Sequence, residues 1–364
     1  MDGSGSVSKE TQKVAWLCTY IPEEIIHAAG FQPYRLVPGE IDQKGNCKTL
    51  PSNFCPYVKE VAAALEKGVY NDFISGFVVS NSCNAMIHLY NVLKEMSSDD
   101  QFVYLLDLPR KNSETGIEYY NRQLEELYNF LYKNRTNKNS VEEQTENLKQ
   151  SLKLYSETQK LLQSINYKLY RIQKDIIDLS IQIANNDRKN VNDFISHQIQ
   201  QGADYKNSTI LLTGGIISRE INRSLIENSD YPLMPENCMG LRYLMKSDLA
   251  NIEDQHLEQL TKQQILGLIA KSYLNKPECP RTFTVTPDIG RVNYLKYLIN
   301  QFDVKGVIHH DLGFCDLSNY DYLIIQDLFS KYNIPVLKIN SELGEREIGQ
   351  IKTRVEAFYE MNLI

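Results

Sequence analysis

Val14-Ala15-Trp16-Leu17-Cys18, then Thr19-Tyr20-Ile21, then Pro22-Glu23-Glu24-Ile25-Ile26-His27-Ala28-Ala29-Gly30, is the stretch on which the fold turns. Its first part is a short unbroken apolar run, the mark of a strand covered on both faces. Its last part reads as a helix. Proline suits a first helical turn, the Glu23-Glu24 pair complements the helix dipole, and Gly30 closes the helix as a C′ residue. A strand, a brief turn and a helix in succession open a parallel α/β sheet.

The same grammar recurs outward from this unit. Apolar runs follow at Tyr34–Val37, Gly76–Val79 and Phe102–Leu106, and again at Thr209–Thr213, Val304–His309, Tyr322–Ile325 and Pro335–Ile339. A helix is expected from Val58 to Leu65, after Pro56. The pattern predicts an α/β fold of two doubly wound parallel-sheet domains, at 13–113 and 206–364, behind a Gly/Ser-rich tail at 1–12. Residues 114–205, rich in Gln, Asn, Lys, Glu and Tyr, read as a helical insertion or connector. There Leu148, Leu152, Tyr155, Leu161, Leu162, Ile165, Leu169 and Ile172 recur at near-helical intervals, with a polar turn expected near Asn134–Ser140.

Composition narrows the function. With 364 residues, 42% of them hydrophobic, the chain can bury a sizeable core. A net charge of −7 and no basic run argue against a nucleic-acid partner. No apolar stretch approaches the roughly 20 residues of a membrane helix, and none near the start resembles a signal peptide, so the cytoplasm is expected. Seven scattered cysteines read there as free thiols, core fillers or metal ligands rather than disulfides.

GxxxxGK[ST], Cys-x-x-Cys, HExxH and GxSxG are all missing, so the chain has no evident ATP site of its own. Gly214-Gly215 after a strand-like run is either a tight turn, the simpler reading, or an anion-binding backbone. The cysteines draw interest by position. Cys18 ends one run, Cys83 and Cys315 come shortly after two others, and Cys238 follows Tyr231–Pro235. Ligands in such sheets bind beyond the carboxyl ends of strands, and thiolates favour zinc, copper(I) or iron–sulfur clusters. Plain core packing accounts for each cysteine equally well.

A wider resemblance runs through these residues. Cys18-Thr19-Tyr20-Ile21-Pro22-Glu23-Glu24 with Ala28-Ala29-Gly30 resembles the opening of the 2-hydroxyacyl-CoA dehydratase D-component family, the type that includes benzoyl-CoA reductase subunits. Asn53-Phe54-Cys55-Pro56 with Val58-Lys59, and Ser82-Cys83-Asn84-Ala85-Met86, are similar to its next blocks. Asn237-Cys238-Met239-Gly240-Leu241-Arg242-Tyr243, Phe314-Cys315-Asp316 and Thr353-Arg354-Val355-Glu356-Ala357-Phe358 resemble its later ones, in family order. Two positions depart from the pattern: Asn84 stands where Asp is common, and Gly313 where a basic residue is usual.

The resemblance implies two flavodoxin-like domains around an iron–sulfur cluster. It places [4Fe-4S] ligands on Cys83, Cys238 and Cys315, with Cys55 the candidate fourth, while Cys18 lines the cleft and Cys47 and Cys279 do not ligate. It implies an oxygen-sensitive dehydratase acting on an acyl-CoA substrate. One electron enters the thioester, the α-hydroxyl leaves, the β-proton becomes acidic, and the electron returns. The implied partners are a second dehydratase subunit or a second copy as a homodimer, and an ATP-hydrolysing iron–sulfur activator. The alternative is an ATP-coupled reductase of the benzoyl-CoA or double-cubane cluster type, in which electrons are consumed. Glu23, Glu24, His309, His310, Asp316 and Arg242 are the polar residues expected near the cleft, with Glu23 and His310 the weak catalytic candidates.

Overall fold

A computed structural model, which describes residues 12–39, 47–135, 141–165, 175–200, 208–229, 231–252, 257–282, 290–343 and 347–362, resolves the apolar runs into two four-stranded sheets. The first holds β1 (Lys13–Trp16), β2 (Gln32–Arg35), β3 (Ile74–Ser80) and β4 (Phe102–Leu106), in the order β2-β1-β3-β4. The second holds β5 (Ser208–Gly214), β6 (Leu233–Pro235), β7 (Asp303–Leu312) and β8 (Val336–Ser341), in the order β6-β5-β7-β8. All these pairings are parallel, with Val14 opposite Pro33 and Gly76, and Leu211 opposite Met234 and Val307. Both sheets reverse their winding direction after the first strand, which is the doubly wound arrangement expected from the sequence.

Helices start where local chemistry dictates. Glu23–Ala28 follows Pro22 and gives way at Gly30, whose φ of +89° suits glycine. Pro56–Glu66 opens on its proline, and Glu114–Lys133 starts where the Ser113 hydroxyl accepts the Gly116 amide. One strand reading is corrected. Tyr322–Ile325 lies inside the helix Asp316–Ser330, with Ile325 buried while Leu323 and Ile324 are exposed. Four apolar residues in a row carry no period by which to tell strand from helix. The fourth strand is instead β6, only three residues long.

Between the sheets, helices cover Glu114–Lys133, Val141–Ile165, Ile176–Asn185 and Arg188–Gln200. Val141–Ile165 packs on Glu23–Ala28 and on Arg188–Gln200, Ile176–Asn185 packs on β2, and Glu114–Lys133 packs on the helix Lys262–Asn275. Leu148, Leu152, Tyr155 and Leu162 are buried in these contacts. Leu169, Ile172, positions 136–140 of the expected turn and residues 1–11 of the expected tail lie outside the described residues. Among the described residues no helix is long and apolar enough to cross a membrane.

Gly214 ends β5 and Gly215 forms the bend after it. Gly214 has φ of +100°, and a Cβ there would stand 2.1 Å from the His310 carbonyl oxygen. The Gly215 amide donates to that same oxygen at 2.9 Å. The amide is thus already used within the second sheet.

Candidate functional site

Three cysteines occupy one structural position in three different places. Cys55, Cys83 and Cys315 are the N-cap residues of the helices Pro56–Glu66, Asn84–Met96 and Asp316–Ser330. Cys83 and Cys315 reach that position from the carboxyl ends of β3 and β7, Cys18 lies just past β1, and Cys238 just past β6. The partial positive charge of a helix N-terminus favours a thiolate, which makes these ends natural soft-ligand positions. Before Cys315 the backbone is strained, because Phe314 takes a left-handed φ of +58°.

The thiols lie within electrostatic reach of one another. Burial pushes the Cys83 thiol up to about 11, Cys55 and Cys18 push it the same way, and the backbone amides of Met86 and Ala85 oppose them. Burial pushes Cys315 up to about 12, with Cys55, Cys83 and Cys279 adding to the rise. Cys238 is raised by burial and by Cys279 and Cys18, against the pull of Arg35 and Arg242. Burial also raises Cys55. Cys47 stands apart, its thiol donating to Glu66 Oε1 at 3.5 Å. The structure thus brings Cys18, Cys55, Cys83, Cys238 and Cys315 within electrostatic reach of one another and adds Cys279, which the resemblance leaves out of the ligand set.

Among the described residues, no three His, Cys, Asp or Glu side chains come together as the ligands of a single ion. A multi-iron cluster makes a different demand, because its thiolates attach to different corners of a larger body. An all-cysteine, half-buried donor set between two sheets fits such a group, and thiolates are the ligands iron–sulfur clusters use. Since burial raises the Cys55, Cys83, Cys238 and Cys315 thiols, loading would release protons and place several negative charges in a largely enclosed site.

Cations already wait there. Arg35 is buried, sends Nη2 to the Cys238 carbonyl oxygen at 2.6 Å, and lies against the touching rings of Trp16 and Tyr243, with centroids at 5.1 and 4.9 Å. Its Nε and Nη1 are buried with no hydrogen-bond partner among the described residues. Lys276 is also buried, its ammonium held by the Thr19 carbonyl oxygen and 4.2 Å over the Tyr20 ring. Burial brings this amine down to about 7, against the upward pull of Cys18. Lys276 also borders a cavity of about 390 Å³ with Asn112, Glu278 and Tyr294. No motif in the sequence marks either cation.

Most of the other polar candidates are engaged in the fold. Glu23 pairs with Arg188 at 2.6 Å and Lys246 at 3.3 Å, and Tyr243 Oη donates to it at 3.1 Å. Burial would raise this carboxyl, but Arg188 and Lys246 outweigh it and hold it below the usual range. Glu24 pairs with Lys246 at 3.3 Å and accepts from Tyr273 Oη at 2.6 Å. Arg242 holds Glu236 through two bonds of 2.8 and 2.9 Å. Arg291 spans Glu236 and Asp321, with Asp321 at 2.7 Å from Nη2. Burial alone would raise Glu236; the two guanidiniums bring it down to about 2.

His309 and His310 are fully buried in β7. His309 meets Thr213 Oγ1 at 3.0 Å and the Ser318 carbonyl at 3.1 Å, and His310 meets Ser341 Oγ at 2.7 Å. Burial, with His309 beside it, lowers His310 to about 3, which keeps it neutral. Asp316 is exposed at the start of its helix.

The comparisons with known proteins agree with this architecture. The family described as "2-hydroxyglutaryl-CoA dehydratase, D-component" matches residues 18–362. The (R)-phenyllactyl-CoA dehydratase beta subunit of Clostridium sporogenes is 21% identical over 354 residues, covering 94% of this chain and 89% of that one. A benzoyl-CoA reductase subunit of Thauera aromatica is 20% identical over 366 aligned residues, covering 95% of this chain and 89% of its own length.

Proposed function

Because this chain belongs to the 2-hydroxyglutaryl-CoA dehydratase D-component family, we propose that it is one subunit of an iron–sulfur 2-hydroxyacyl-CoA dehydratase. The observation that carries this reading is the gathering of Cys83, Cys238 and Cys315 from two sheets, at strand ends and helix N-termini. These three would hold a [4Fe-4S] cluster, with Cys55 as the fourth ligand and Cys18 lining the cleft. The reading divides the chain at 13–113, 114–205 and 206–364, and seven free thiols suit a reducing cytoplasm.

When bound, the cluster supplies one low-potential electron to the substrate thioester, chemistry that no side chain can supply. The chain's own residues do the rest by placement. The helix N-termini at Cys55, Cys83 and Cys315 favour bound thiolates, and the surrounding apolar core keeps water from the site. The cavity beside Lys276 falls within the size range of small-molecule pockets, and the acyl portion of the substrate belongs there. We assign no proton transfer to Glu23 or His310, whose partners fix them in the fold.

A subunit needs a partner face. The helix after Cys315 turns Tyr320 (71% exposed), Leu323 (60%) and Ile324 outward at helical spacing, and exposed apolar patches of this kind mark interaction sites. We place a second dehydratase subunit, or a second copy of this chain, on that face. With no nucleotide loop in the sequence, an ATP-hydrolysing activator must deliver the electron.

A reductase is the second reading, favoured by the match to the Thauera aromatica benzoyl-CoA reductase protein over nearly the same span. One anaerobic assay separates the two. It contains the chain, a partner subunit, an activator, ATP, a strong reductant and an (R)-2-hydroxyacyl-CoA, and it counts electrons consumed per product. A dehydratase uses far less than one electron per enoyl-CoA formed. Stoichiometric consumption with a reduced product moves the assignment to the reductase, and no turnover of any acyl-CoA despite an intact cluster favours a small-molecule reductase that does not use CoA.

A further inference from the structure

Among the buried arginines, Arg188, Arg242 and Arg291 each face a carboxylate within 3 Å. Arg35 is different. It is 1% exposed, no carboxylate among the described residues pairs with it, and two of its nitrogens have no acceptor. Its guanidinium is instead held by two ring faces and the Cys238 carbonyl. Its backbone is pinned as well. Its amide donates to Asn185 Oδ1 at 2.6 Å, and its carbonyl accepts from Asn185 Nδ2 at 3.2 Å. Lys276 is a second buried basic group without a carboxylate partner among the described residues, held by the carbonyl of Thr19, the residue after Cys18, and by the Tyr20 ring.

An isolated buried charge is costly unless an opposite charge meets it. The sequence keeps two such charges beside the thiols while it pairs off guanidiniums a short distance away. We propose that Arg35, assisted by Lys276, is the built-in counter-charge of the anionic cluster, holding Cys238 in place and raising the cluster's reduction potential. The proposal rests on the cluster reading above. The reason is electrostatic: reduction adds one negative charge to a dry site, and a fixed cation stabilises the reduced form more than the oxidised one. Arg35 is thus a positioning and tuning residue that needs no contact with substrate.

The test is an anaerobic redox titration of the full-length chain reconstituted with iron and sulfide, followed by electron paramagnetic resonance. At the wild-type midpoint, Arg35→Gln should lower the ratio of reduced to oxidised cluster about tenfold, equivalent to about 59 mV for a one-electron couple. Lys276→Gln should lower it about threefold, and Arg35→Lys, which keeps the charge, should stay within about threefold of wild type. Should Arg35→Gln take up no iron, Lys276→Gln and Arg35→Lys decide. Ratios unchanged in both neutral variants, or raised, overturn the inference and leave the cluster reading intact. A wild-type chain that takes up no iron overturns both.

Discussion

The network of Glu236, Asp321, Arg242 and Arg291 and the thiol neighbourhood around Arg35 are both buried in the same molecule, but they are charged in opposite styles. In the first, two carboxylates face two guanidiniums at hydrogen-bond distance and nothing is left over. In the second, among the described residues, Arg35 and Lys276 meet ring faces and backbone carbonyls and no carboxylate. A closed network can serve stability alone. An open one makes physical sense as half of a pair whose other half arrives later.

The largest effect expected from this contrast is on iron. Anaerobically reconstituted protein should hold about four irons per chain, as one [4Fe-4S] cluster requires. Single Ser replacements of Cys83, Cys238 or Cys315 should remove nearly all of it, while Cys47→Ser leaves it in place; iron analysis and the visible spectrum read both. Equal losses at Cys47 would mean that the thiols act through stability alone. Cys55→Ser should retain iron with an altered spectrum. Parallel replacement of Cys279, set aside in the sequence but near Cys238 and Cys315 in the fold, decides whether it belongs to the ligand set.

Next in size is stability. Glu236→Ala leaves two buried guanidiniums short of a partner and should cost about 3–5 kcal/mol in urea unfolding. In metal-free protein Arg35→Met removes a buried charge that has no carboxylate to lose, and should leave stability unchanged or raise it by up to about 4 kcal/mol. Equal costs would erase the contrast between the two regions.

The smallest effect is on pH dependence. The folded-state acidity of Glu236, near 2, lies below its ordinary value of 4.5, so the stability it contributes is complete above about 4.5 and is lost as pH falls toward 2. Acid titration of wild type should show that slope, and Glu236→Gln should flatten it. An identical slope in both would mean that other carboxylates carry the acid sensitivity.

The sequence is most legible where a residue's role is local. Lys13–Trp16 and Glu23–Ala28 announce themselves through an unbroken apolar run, a proline and an acidic pair, and Phe102–Leu106 is a strand over the very residues of its apolar run. Tyr322–Ile325 misleads because its four apolar residues serve a helix with one buried side and one open one. Leu233–Pro235 is too short to announce a strand. The cysteines draw attention by type and by strand-end position. Arg35 does not, because in Gln32-Pro33-Tyr34-Arg35 it reads as an ordinary strand-end cation. Only the tertiary approach of Trp16, Tyr243 and Cys238 shows that it is buried and lacks a carboxylate. His309 and His310 illustrate the reverse, conspicuous in sequence yet bonded to Thr213 and Ser341 within their own sheet.

The junction of Glu23, Arg188 and Lys246 bears on how the chain comes off the ribosome. Glu23 is translated early, yet its partners arrive from a helix that starts at Arg188 and from a segment after β6. Until residue 246 has emerged, the carboxylates of Glu23 and Glu24 lack the ammonium that accompanies them into the interior. A nascent chain halted before that point must keep this corner wet, and the helix Glu23–Ala28 cannot settle fully onto its neighbours. The first sheet therefore completes its packing only after much of the second half has been made, and a fragment cut between the two would be a poor candidate for expression on its own.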